Sequence, residues 1–243
     1  MAIAANQPAP QWRFLQLTLA IVAWLLVAPH IETRSGGHLA IHLLLFDLIL
    51  VTIWANPQWR RFGQVVWILW GISLLASTLS ILEVTPQWRQ LERTIDVALI
   101  APVTLACIVG VLDFVFRGER PTVDGVFAMV VAYLLIAMVF AELYYLLLVW
   151  NPDALHLLQP AASMSPRELR GELMYYSLVT ISTVGYGDVL PVSPAARTLA
   201  TMEAVAGQFY VAVVVATFVA MYTTHRLAAR AAAAIGRHTP PAE

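Results

Sequence analysis

The stretch Tyr176-Ser-Leu-Val-Thr-Ile-Ser-Thr-Val-Gly-Tyr-Gly-Asp188 decides how the rest of the chain is read. Together with the residues just before it, Glu172–Ser182 is too apolar for a solvated loop and too short to cross about 30 Å of hydrocarbon. Backbone at that depth survives only when it is buried in protein, so the segment reads as a re-entrant helix. Gly185 and Gly187 come directly after it, with Asp188 and Pro191 behind them. Glycine enters left-handed and mirror conformations without steric cost. Placed at alternate positions, the two predict a chain whose successive peptides turn the same way. Ahead of the helix, Asn151–Arg170 is polar and carries Pro152, Pro160 and Pro166, and reads as an extramembrane turret.

The rest of the chain is what such a segment requires around it. Of 243 residues, 60% are hydrophobic and 12% charged; the 12 glycines bring the apolar total to about 65%. Soluble domains hold roughly 45–50% by the same count, so a water-soluble globule is excluded and an integral membrane protein is expected. Net charge is −1 and all 14 basic residues are arginine with no cluster among them, which leaves no basic stripe for nucleic acid. The lone Cys107 lies in an apolar stretch and has no intrachain disulfide partner. The N-terminus lacks the charged region and cleavage site of a removable leader.

Apolar stretches divide the chain into six expected spans: Phe14–Ala28, Leu39–Ala55, Phe62–Leu82, Ile95–Phe116, Val123–Trp150 and Ala195–Tyr222. The expected fold class is an all-α membrane protein, with the re-entrant helix and its loop between spans five and six. Residues 1–117 would form a four-helix peripheral domain, 118–226 a second domain, and 227–243 a short tail. Pro-Gln-Trp-Arg occurs at Pro10–Arg13, Pro57–Arg60 and Pro86–Arg89, each just before a span. Proline early in a helix, tryptophan at the interface and arginine among headgroups account for it. With both termini cytoplasmic, the inside loops hold eight arginines against six outside, in the direction of the positive-inside rule. The expected location is the inner (plasma) membrane.

Thr183-Val-Gly-Tyr-Gly-Asp188, behind a short apolar helix and between two long spans, resembles the selectivity filter of potassium channels at every position. The resemblance covers Val123–Tyr222 well and the first half only in outline. It implies a potassium channel of bacterial type, in which a dehydrated ion receives oxygens in place of its water. The carbonyls of Thr183, Val184, Gly185 and Tyr186, with the Thr183 hydroxyl, would form the K+ sites, with Gly187 completing the filter. Val184 and Tyr186 would pack outward. Asp188 and a pore-helix aromatic, Tyr175 or Tyr176, are candidates for a hydrogen bond behind the filter mouth. One copy per chain supplies a quarter of a ring, so the resemblance implies a homotetramer in membrane lipid. It implies no cofactor beyond the K+ ions.

In the last span, Gly207 stands where a similar channel carries a hinge glycine; close helix packing through a small residue is the other reading. Gln208, Val211, Val215 and Val219 follow at helical spacing and would line the cavity and gate. Glu203, near the filter end of that helix, is the candidate gating residue.

The fourth span carries no arginine between Ile95 and Phe116, and Asp96 and Asp113 lie near its ends. Each charge crossing the field is worth only about 2.3 kcal/mol per 100 mV, so strong voltage gating is not expected. His42, Asp47, Glu83, Glu142 and Glu203 are intramembrane polar groups that must face protein or water, for structural hydrogen bonding or for sensing. Only about 20 residues follow the last span, so no fused ligand-binding ring is expected. No catalytic constellation is present, and the chain is not read as an enzyme. The alternative function is a membrane sensor or accessory channel subunit, whose four-span half binds a ligand or lipid and regulates the pore.

Overall fold

The computed structural model describes residues 13–27, 48–49, 60–79, 86–117 and 122–236, and almost all of them are helical. The helices are α1 (Arg13–Val27), α2 (Arg60–Leu79), α3 (Pro86–Arg117), α4 (Val123–Trp150), α5 (Pro166–Ile181), α6 (Pro194–Phe209) and α7 (Ala216–Gly236). A π-helical turn, Tyr210–Val215, joins α6 to α7 without a break. Three helices are long and apolar enough to cross a membrane, over Arg93–Arg117, Val123–Trp150 and Pro194–Thr224, while Phe14–Ala23 and Gly63–Leu75 are shorter apolar segments. The expected span Leu39–Ala55 lies outside the described residues except for Leu48 and Ile49, as do His42, Asp47 and Glu83.

Packing centres on α4, which is apolar on every side and therefore surrounded: α1, α3, α5 and α6 all pack on it. Thr122 starts the helix by accepting a hydrogen bond from the Gly125 amide at 3.1 Å. One residue inside, Asp124 accepts from the Phe14 amide at 3.0 Å, so the first turn of α4 also caps α1. One apolar core joins Phe14 and Leu17 of α1 to Val103, Cys107 and Val111 of α3 and Ala128, Val131 and Leu135 of α4. A second joins Val97 of α3 to Tyr144, Tyr145 and Leu148 of α4 and Leu169, Leu173 and Tyr176 of α5.

Two helix starts differ from the sequence reading by more than a couple of residues. Helix α3 begins at Pro86, nine residues before Ile95, with its proline in the first turn where the missing N–H costs nothing. The short helix ahead of the glycine loop begins at Pro166, inside the stretch read as turret. Ser165 accepts from the Glu168 amide while the Glu168 carboxylate accepts from the Ser165 amide at 2.7 Å, closing a capping box. The pattern Ser165-Pro-Arg-Glu168 is legible in sequence and marks a helix start; the polarity of the segment obscured it.

Candidate ion pathway

Helix α5 ends in a Schellman motif. The Val184 amide donates to the Val179 carbonyl at 3.0 Å and the Thr183 amide to the Thr180 carbonyl at 3.0 Å. Tyr133 of α4 donates its hydroxyl to the next carbonyl, that of Ile181, at 3.0 Å. The last carbonyls of the helix are thus occupied before the chain leaves it. Thr183 holds the left-handed position of the motif, with φ +60°. Gly185 at +59° and Gly187 at +81° repeat that conformation, and no other described residue has a positive φ. Left-handed and ordinary conformations therefore alternate from Thr183 to Gly187. The glycines were legible in sequence; Thr183 was not, because a β-branched residue is a poor candidate for this region. The helix cap imposes it.

At the far end the Tyr175 hydroxyl donates to Asp188 Oδ2 at 2.5 Å. That bond holds the Asp188 carboxyl below its ordinary range. Of the two tyrosines expected as candidates for this contact, Tyr175 makes it. Tyr176 turns inward and meets the Tyr144 ring edge-on at 4.9 Å. The chain leaving the loop is tied to the turret by a two-residue antiparallel bridge, Leu155 opposite Pro191 and His156 opposite Leu190. Val184 and Tyr186 are 51% and 71% exposed on the single chain.

The inner helix, α6 with its continuation through the π turn into α7, is locked to α5 at two points. A Cβ built on Gly207 would collide with the Ile181 carbonyl oxygen and lie 2.7 Å from its Cγ1, so this glycine is a close-packing residue. Glu203, one turn earlier, is fully buried. It accepts the Tyr144 hydroxyl at 2.7 Å and contacts the Ser177 hydroxyl, which also reaches the Ala137 carbonyl at 2.7 Å. Sequence reasoning found Glu203 but not Tyr144 or Ser177, since polar groups on three different helices carry no spacing signal. Below Gly207, Tyr210 donates to the Met129 carbonyl at 2.6 Å and packs on Tyr133.

The shared face expected for Gln208, Val211, Val215 and Val219 assumed unbroken α-helix. The π turn carries about one extra residue, which rotates the helix beyond it by roughly 100°. Val215 closes that turn and Val219 lies beyond it, so neither keeps the α-helical register of Gln208.

Residues 128–224 match a protein-family model described as ion channel. Over 52 residues the chain is 36% identical to the inward rectifier potassium channel Kirbac3.1 of Paramagnetospirillum magnetotacticum, a match spanning 21% of this chain and 18% of that channel. No solved structure matches. The matched stretch runs from α4 through the capped helix and the loop of alternating φ into α7, so the likeness to ion channels falls on the segment that carries that loop.

Proposed function

We propose that the protein is a potassium-selective channel that conducts passively through a homotetrameric pore and is not strongly voltage-gated. One observation carries the reading: the alternation of left-handed and ordinary backbone over Thr183–Gly187 within Thr-Val-Gly-Tyr-Gly-Asp. Alternation turns successive carbonyls of Thr183, Val184, Gly185 and Tyr186 to one side, where four copies replace the hydration shell of a bare cation. The C-terminal end of α5 adds a partial negative charge toward the cavity below. Val184 and Tyr186, exposed on one chain, find their packing in the ring, and Tyr175 with Asp188 braces the filter mouth. Gln208 and Val211 face the cavity. Helix α3 has no arginine from Ile95 to Phe116, so the field acts on no row of charges there. Glu203, held between Tyr144 and Ser177, acts on gating by fixing the inner helix to the pore helix.

The test is potassium or rubidium flux into proteoliposomes holding the purified protein, with single-channel recording in planar bilayers. Barium-blocked potassium current that strongly excludes sodium is expected, and a Gly185→Ala variant should lose it. Equal sodium and potassium permeability refutes the selectivity. Absence of current favours the accessory-subunit reading.

A further inference from the structure

We infer that the peripheral helices act on the filter through Arg170, a positioning residue of the pore helix α5; the inference rests on the channel reading above. Arg170 sits in the first half of α5, where that helix meets α3 and α4, with its side chain only 10% exposed. Its Nη2 donates to Asp96 Oδ2 of α3 at 2.8 Å, and its Nε lies 3.5 Å from Glu142 Oε2 of α4. The guanidinium carbon sits 4.5 Å from the centre of the Tyr145 ring. Asp96 is itself held from the periphery, where Ser73 of α2 donates to its other oxygen at 3.1 Å. Beside it, Val97 packs in the core that contains Leu169, Leu173 and Tyr176 of α5. A polar chain thus runs from α2 through α3 into the pore helix, and the same helix carries Tyr175 at the filter mouth and ends in Thr183.

A guanidinium buried among apolar side chains cannot be left without a countercharge. A movement of α3 that carried Asp96 about 1.5 Å further along the line of the 2.8 Å contact, the rise of one residue, would take it beyond hydrogen-bonding range. Either α5 follows α3, or Arg170 shifts toward Glu142, which already stands at ion-pair distance. The arginine touches carboxylates on two different helices, between which its contacts can shift, and such an element is what two distant regions need in order to bias one another. The first response displaces α5 against α4 and the second redraws the contact that holds the two together; either reaches the filter because Thr183 is part of the cap of α5. The coupling needs no gating charge in α3. Helices α2 and α3 are therefore a lever on the filter.

The experiment uses the full-length protein in planar bilayers and reads two properties of the filter, barium dwell time and the potassium-to-sodium permeability ratio. Asp96→Asn is compared with the exchange variant Asp96→Arg, Arg170→Asp, with size-exclusion chromatography reporting assembly. Asp96→Asn is expected to change barium dwell by about fivefold or more, the lower end of ordinary coupling between sites. The exchange variant is expected to recover at least half of that change, a recovery that lost stability alone would not give. Unchanged filter properties in assembled Asp96→Asn, or an exchange variant no better than it, overturns the inference. Where Asp96→Asn does not assemble, Ser73→Ala, which removes only the outer hydrogen bond, must shift barium dwell in the same sense; no shift overturns it. Absence of potassium current from the unsubstituted protein sinks the channel reading, and the coupling with it.

Discussion

Thr183 carries a left-handed backbone that costs an ordinary residue about 1–2 kcal/mol. The two hydrogen bonds of the Schellman motif offset that cost, so the loop proposed as the filter begins as the cap of α5. Gly207 works by the opposite logic, through the absence of a side chain. Gly207→Ala is expected to force Ile181 and α5 apart and to destabilise the assembled protein by about 1–3 kcal/mol, read as a lower melting temperature. A hinge glycine would instead change open probability at unchanged stability. At the filter mouth, the Tyr175 hydroxyl holds the Asp188 carboxyl below its usual 3.8. A depressed carboxylate contributes stability that is complete above its unfolded value and is lost as pH falls through the lower folded one. Conductance should therefore hold from neutral pH down to the ordinary aspartate value and fall only in stronger acid. In Tyr175→Phe the acid limb should move up toward the ordinary aspartate range, which a current–pH titration reads directly.

Helix α5 owes its position to both of its ends: a capping box at Ser165 and Glu168, and the closed turn at Thr183. Together they make it a rigid bar from turret to filter. The upper part of the inner helix is tied to α5, where Glu203 and Gly207 meet it. Below, the π turn Tyr210–Val215 resets the register, and Phe218 packs against Gly125 at the start of α4. Ala216 and Ala220 stand two residues either side of Phe218, about 160° around the helix from it. In a ring they would face the axis, while Val215 and Val219 turn toward a neighbouring subunit. Cysteines introduced singly at Ala216 and Ala220 should therefore bring loss of current under a charged thiol reagent, and cysteines at Val215 and Val219 should not. Block at the valines alone would restore the unbroken α-helical face.

Across the whole molecule, burial is uneven in a way that argues for partners. In the most apolar stretch of each span, 50% of the residues are buried within one chain for Arg93–Arg117 and 44% for Val123–Trp150, but only 17% for Pro194–Thr224. The unburied inner helix and the exposed Val184 and Tyr186 are the surfaces on which the proposed tetramer closes. Ions in the filter would then hold the ring together, because a ligand that binds only the assembled state stabilises it by mass action. Replacing potassium by sodium is expected to lower the temperature at which the oligomer dissociates on size-exclusion chromatography. Equal dissociation in both salts would argue against ion sites shared between subunits.

Membrane residence, the short helix before the loop and the glycine conformations within it were legible in the sequence because each rests on local chemistry: apolar length, a glycine spacing, a charge deficit. The fifth span, Val123–Trp150, matches its helix end to end for the same reason. Asp96 of α3, Glu142 of α4 and Arg170 of α5 showed as isolated charges, since nothing along the chain says which of them meet. Tertiary packing decided that they do, as it decided that Tyr175 and not Tyr176 reaches Asp188, that Gly207 is a point of close approach, and that the inner helix changes register after it. Side-chain pairing between helices depends on rotation and offset set by the whole core, and no single segment encodes either.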